Sequence, residues 1–233
     1  MRKEDFARGL RHGIPIALGY LSVSFAFGIQ AVGGGLTPFQ AVFISMTNLT
    51  SAGQFAGLSL MLAAAPLYEM ALTQFIINLR YALMSLSLSQ RLDGSMTTLW
   101  RVLISFGNTD EIFAVASSQP GKVGRDYLLG LVCLPYFGWA GGTLLGAAAG
   151  ALLPSLITQA LGIAIYGMFL AIILPPARER KNVRLVVLAS AVVSCVLRYV
   201  PAFSFVSSGF AIILCAVLAA ALGAILFPIR EAE

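Results

Sequence analysis

Charge is scarce in this chain. Only 11% of its 233 residues are Asp, Glu, Lys or Arg, against 58% hydrophobic residues, and the mean hydropathy is +0.87. A soluble domain of this length needs more charge to cover its surface, so a soluble enzyme or binding module is excluded. Histidine occurs once, at His12 in a basic stretch near the amino terminus. An HExxH metal site therefore cannot form, and the chain has neither a nucleophile elbow nor a phosphate loop. Its three cysteines, Cys133, Cys195 and Cys215, stand apart inside apolar runs and match no metal-ligand spacing or disulfide framework. No cofactor and no metal are expected, and an enzyme is the remotest functional class. The net charge of +5 sits mainly in connections between apolar runs. That is the pattern of cytoplasmic loops in a membrane protein and gives no reason to invoke nucleic acid.

What the chain has instead is a succession of apolar runs of about 20 residues, the length that crosses a lipid bilayer core. They leave no room for a separate soluble domain, so residues 1–233 read as one integral membrane domain of all-α class, a polytopic transmembrane helix bundle. The first run, Gly13 to Val32, outlasts a signal-peptide core and lacks a small-x-small exit, so it reads as a permanent helix. Runs at Phe39–Ala65, Leu67–Ser89 and Leu99–Ser117 follow, then Tyr127–Leu153, Leu156–Leu174, Val183–Val200 and Phe205–Phe227. Two of these are interrupted by polar residues. Eight full crossings fit the parity, as do six if Phe39–Ala65 and Leu99–Ser117 are re-entrant or broken. The six-crossing version places Arg91, Arg101, Lys122 and Arg125 together inside and satisfies the charge rule better. The basic amino terminus and the loop Arg178–Arg184 point to the cytoplasm, while the uncharged loops at Gly33–Thr37 and around Pro154 point outside. Both termini are then cytoplasmic.

Gly138, Gly142, Gly146 and Gly150 recur every four residues, on one helix face. Such a series lets a second helix backbone approach closely, either within the chain or at a subunit interface. A weak internal repeat joins Ser51-Ala52-Gly53 with Ser207-Ser208-Gly209, each leading into an apolar, Ala-rich helix. Paired interrupted segments of this kind point to transporters built from repeats.

Polar residues at membrane depth carry the functional signal, because they need partners and commonly face a cavity. Ser51-x-x-Gln54 reads as a capping box, with a helix break near Ser51–Gly53. The helix beginning there would turn free N–H groups and its positive end toward an anion such as a carboxylate. Gln74, Asn78, Tyr81 and Ser85 form one polar stripe, either helix–helix glue or a pathway lining. Candidate substrate ligands are thus Asn48, Ser51, Gly53, Gln54, Gln74 and Asn78. Arg80 lies on another face and reads as snorkelling toward the cytoplasmic interface. Asn108-x-x-Glu111 resembles a helix start, with Asp110 and Glu111 in its first turn. Glu69, Asp110 and Glu111 are the candidate proton-coupling acids, with Asp110 favoured because it follows a Gly-Asn break.

Several segments together resemble the AzlC family, the large subunits of bacterial branched-chain amino-acid exporters. They are FARGLRHGIPIALGYLSVSFAFGIQA at 6–31, SAGQFAG at 51–57, QFIINLRYALMSLSLS at 74–89, TDE at 109–111 and SSGFAIIL at 207–214. The resemblance covers nearly the whole chain. It implies efflux of leucine, isoleucine and valine, and often methionine, driven by the proton gradient across the bacterial inner membrane. It also implies a small AzlD-type membrane subunit of about four helices as partner. The competing readings are a passive channel and a substrate-free membrane assembly protein. The first would move substrate only downhill and ignore uncouplers; the second would show no stabilisation by substrate.

Overall fold

A computed structural model describes residues 2–150, 170 and 173–227. The loop around Pro154, most of the run expected at 156–174 and the carboxyl-terminal residues 228–233 lie outside the described residues. The described secondary structure is helical: α1 (Lys3–Gly33), α2 (Pro38–Thr47), α3 (Ser51–Leu62), α4 (Leu67–Ser89), α5 (Thr98–Ser105), α6 (Asp110–Ser117), α7 (Arg125–Gly150), α8 (Lys181–Tyr199) and α9 (Ser208–Leu226). Of these, α1, α7, α8 and α9 are long and apolar enough to cross a bilayer. The chain is an all-α membrane helix bundle. It divides into two compact units, Met1–Phe55 with Asn78–Ile165, and Ala56–Ile77 with Tyr166–Glu233.

The first unit is organised by α1 against α7. A Cβ added at Gly138 would lie 2.8 Å from the Ala17 carbonyl oxygen, and one at Gly142 would strike the backbone of Leu21 and the Ser24 hydroxyl. One at Gly146 would strike the backbone of Phe25, and Gly150 faces the Ile29 Cα at 3.4 Å. α1 answers with Gly9 against Tyr127 and Leu131, Gly13 against Leu131, and Gly28 against Thr143 and Ala147. The meeting residues advance together along both helices, so α1 and α7 run parallel. Their contact from Gly9 to Ile29 covers about 30 Å of helix rise, the thickness of a bilayer core. Glycine is required there because the two backbones touch.

Two elements stop halfway. α5 starts where Ser95 Oγ accepts the Arg125 backbone N–H at 2.9 Å. α6 ends where the Arg91 guanidinium donates to the Ser117 and Gln119 carbonyls. Both ends therefore lie at the beginning of α7, and the pair forms a re-entrant hairpin with its tip at residues 106–109. Each arm is about 12 Å long, too short to cross. The run Leu99–Ser117 is thus no crossing, as the six-crossing arrangement requires. α2 enters from the opposite end. It opens just past the end of α1 with a Thr37–Gln40 capping box and Pro38 at its first position. It stops at Thr47. α3 begins at Ser51 and doubles back, so that Gln54 returns to Ser45 at 2.6 Å and Phe55 reaches Phe27 with ring centroids 5.3 Å apart.

Three sequence expectations shift. α1 begins at Lys3, ten residues before the apolar run, because its first turns are a charged helix with Glu4 and Asp5 at the positive end. The break in the second run falls at 48–50, not at Ser51–Gly53. Thr50 rather than Ser51 occupies the cap and accepts the Gly53 N–H at 3.3 Å, so Gly53 sits in the first turn of α3. At the start of α6 the N-cap position is held by Thr109 rather than Asn108, and its hydroxyl is bonded to Tyr20 instead of to the helix.

In the second unit α8 and α9 form an antiparallel hairpin through the 3-10 turn Pro201–Phe203, and Gly223 closes on Val186.

Replacing Gly142 or Gly146 with Leu should abolish the folded protein, because the opposing atoms are backbone and cannot move aside. Gly141→Leu, with no atom within 4 Å of its added Cβ, is expected to behave as wild type. Size-exclusion profiles of the detergent-solubilised variants check this; normal assembly of both Gly142→Leu and Gly146→Leu contradicts the packing.

Candidate functional site: two half-membrane hairpins meeting at Tyr20 and Trp139

The two tips meet near the middle of the spanning pair. Tyr20 lies about 25 Å along α1 from Lys3, and Trp139 about 21 Å along α7 from Arg125. Their rings pack edge to face, with centroids 5.2 Å apart. Leu49, at the tip of the α2–α3 hairpin, is buried in the same apolar cluster as Tyr20, Trp139 and Ile112. At the other tip Gly107 lets the α5–α6 connection press against Val132 of α7.

A chain of buried hydrogen bonds ties these elements together. Ser45 and Thr143 share a bond of 2.6 Å between their hydroxyls. Gln54 donates its amide to Ser45 Oγ at 2.6 Å and accepts the Trp139 indole N–H at 2.9 Å. The Tyr20 hydroxyl is 2.5 Å from both Thr109 Oγ1 and Glu111 Oε2. With one proton to give, it donates to the carboxylate and accepts from the Thr109 hydroxyl. Thr50 donates to Asn78 Oδ1 at 2.8 Å, and Asn108 donates to Ser85 Oγ at 2.9 Å. In a low-dielectric interior such hydrogen bonds hold their elements firmly, and losing one member leaves its partner unpaired.

A cavity of about 210 Å³ opens between the tips, lined by Asn48, Thr50, Asn78, Tyr81, Ser105 and Asn108 among others. A smaller recess is lined by Tyr20, Ser51, Tyr81, Asp110, Glu111 and Trp139. The larger space holds about seven waters at liquid density, or a small polar head group. Asp110 is tied to Arg80 of α4, with Nη1 2.8 Å from Oδ2. Arg80 therefore does not snorkel toward an interface. A carboxylate within reach captures it, because an unpaired guanidinium at this depth is costly.

The structure thus gathers Asn48, Ser51, Asn78, Asp110 and Glu111 around one site. Gly53 lies buried beside it in the first turn of α3. Gln54 is 1% exposed and both ends of its amide are engaged by protein, so it braces the site from behind. Gln74 belongs to the second unit, where its amide lies against Gly57 of α3. Glu69 is there too: it is 3% exposed and accepts the Ser207 hydroxyl and the Gly209 N–H, anchoring the positive end of α9. Gly138, Gly142, Gly146 and Gly150 face α1. Ser207 caps α9 as Thr50 caps α3, so the two echoing segments are both helix starts, offset by one residue. Sequence reading missed Tyr20, Trp139, Thr109, Ser45 and Thr143. Tyr20, Trp139, Ser45 and Thr143 are single polar or aromatic residues in apolar runs, with no spacing to mark them, and Thr109 stood in the TDE motif beside the acids without a role of its own. The isolated His12 shares a 2.9 Å hydrogen bond with Tyr127 across the α1–α7 contact.

Residues 15–153, which carry α1 to α7, match the family described as AzlC protein. The chain belongs to the AzlC family. It is similar to the inner membrane protein YgaZ of Escherichia coli, with 31% identity over 76% of this chain and 75% of that protein. It is also similar to an uncharacterized membrane protein of Archaeoglobus fulgidus, with 32% identity over 80% of this chain and 82% of the relative. A Helicobacter pylori membrane protein shares 28% identity over 76% of this chain and 78% of its own. No solved structure matches the chain. Multiple apolar helices and membrane-protein relatives together make it a multi-pass membrane protein.

Gln54→Leu should act on stability before function. It leaves the Trp139 indole N–H without its acceptor and takes away the donor to Ser45, a loss of about 1–3 kcal/mol. Thermal unfolding in detergent should show a lower Tm. An unchanged Tm for Gln54→Leu removes the network from the account of the fold.

Proposed function

We propose that the chain is the large subunit of a transporter that exports apolar amino acids, namely leucine, isoleucine, valine and methionine. The observation that carries the reading is the polar cavity where two half-membrane hairpins meet tip to tip. Interrupted helices of this kind serve transporters by turning a helix start and unwound backbone toward a bound ion or zwitterion. A zwitterionic amino acid needs an anion site, an acceptor for its ammonium and an apolar recess. The start of α3, with its first-turn N–H groups and positive end, suits the carboxylate. The side-chain oxygens of Asn48 and Asn78 suit the ammonium.

Export runs uphill on the proton gradient in this reading. Of the acids Glu69, Asp110 and Glu111, the pair at the recess takes the coupling role, since Glu69 is committed to α9. A small AzlD-type membrane subunit completes the transporter. Both termini are cytoplasmic, in a bacterial inner membrane. Arg91, Arg101, Lys122 and Arg125 cluster at the end of the first unit where α1 begins, and basic residues favour the inner side.

Proteoliposomes holding the chain with its small subunit should exchange labelled leucine for unlabelled leucine. Asp110→Asn or Glu111→Gln should abolish uphill export and spare exchange. Purely downhill flux that ignores uncouplers supports a passive channel instead, and absence of any amino-acid flux overturns the reading.

Orientation is tested separately by cysteines at positions 122 and 182 in otherwise cysteine-free protein. Both should resist impermeant reagent in intact cells and react after permeabilisation. Reaction at either position from outside reverses the assignment.

A further inference from the structure

A second cavity adjoins the polar one. It measures about 100 Å³ and is walled chiefly by Leu88 of α4, Met96 of the α4–α5 connection, Ile104 of α5, Ile112 of α6 and Leu128 of α7, with Arg101, which donates to the Met96 carbonyl, also in its lining. It shares Ser105 and Asn108 with the polar cavity. A polar chamber and an apolar one thus share a residue pair in their walls. Asn108 is only 5% exposed. Its amide nitrogen donates to Ser85, while Oδ1 has no hydrogen-bond partner among the described residues. A buried amide oxygen without a partner is rare in folded proteins and is destabilising unless something else satisfies it.

We propose that the apolar cavity receives the substrate's side chain, with Asn108 Oδ1 at its mouth accepting a hydrogen bond from the substrate ammonium. This rests on the reading that the site binds an amino acid. Size then decides which one. An apolar protein cavity of about 150 Å³ holds benzene, with six carbons. At the same packing, about 100 Å³ holds roughly four heavy atoms. A tail of three or four heavy atoms fills the pocket, a methyl group leaves most of it unfilled, and a benzyl group does not enter. Ile112 and Ile104, 1% and 5% exposed, set the limit from α6 and α5.

The test is competition against labelled leucine exchange in proteoliposomes that contain the small subunit. Each buried methylene changes affinity about fourfold, so alanine should compete about 60-fold less well than leucine. Ile112→Phe fills the pocket and should lower the leucine-to-alanine preference at least tenfold. Ile104→Ala enlarges it and should let phenylalanine compete; this variant keeps the test alive if the larger side chain prevents folding. Asn108→Ala should weaken leucine at least tenfold while leaving 2-hydroxyisocaproate, which has no ammonium, unaffected. If wild-type protein exchanges leucine but neither pocket variant moves the order of competitors, the pocket assignment is wrong and the transport reading survives. If the pocket variants change only stabilisation by phospholipids of different acyl length, the cavity holds a lipid tail and the proposal is overturned. If wild-type protein exchanges no amino acid, the underlying reading fails and this one falls with it.

Discussion

Backbone contact between α1 and α7 is the constraint on which the first unit depends. Lipid gives helices no hydrophobic reason to associate, so close packing of small residues must supply the attraction. Gly9, Gly13 and Gly28 on one helix and Gly138, Gly142 and Gly146 on the other bring the two helix backbones within touching distance along a full bilayer depth. Side chains that flank this seam are fixed by it. Tyr20 and Trp139 are placed edge to face at its middle, and the polar groups of both half-membrane hairpins are hung from them.

The hairpins answer a problem of backbone chemistry. Interrupted helix in a membrane exposes N–H and C=O groups, and these must be satisfied by protein or line a cavity. Here side chains do part of that work. Thr50 accepts the Gly53 N–H at the start of α3, and the Tyr136 hydroxyl donates to the Met46 carbonyl near the end of α2. The stripe Asn78, Tyr81 and Ser85 on α4 is the common wall against which both tips rest. Its 3-4 spacing puts these side chains on one face, and that face is where the tips converge.

The three membrane acids show how tertiary contacts separate residues of one type. Glu69 serves a helix start within the second unit, Asp110 is bound to Arg80, and Glu111 accepts the Tyr20 hydroxyl. Only their neighbours distinguish them, and those neighbours lie about 30 to 140 residues away.

Composition and hydropathy by themselves determined that the chain is an all-helical membrane protein. Apart from the amino-terminal end of α1, the described long spans were legible to within a few residues because about 20 apolar residues is a physical requirement for crossing lipid. The breaks at 48–50 and 106–109 were legible as polar interruptions, and the glycine series as a packing face, since both depend on local spacing. Which residue caps each break was not, because Thr50 and Ser51, or Asn108 and Thr109, are equally good caps in sequence and differ only in what lies opposite. Nor did sequence separate Asn78, which lines the cavity, from Gln74 one turn earlier, which packs on Gly57. The roles of Tyr20, Trp139 and Arg80 were decided by the fold alone. A side chain at membrane depth acquires its function from the partner that satisfies it, and that partner comes from a distant helix brought near by packing.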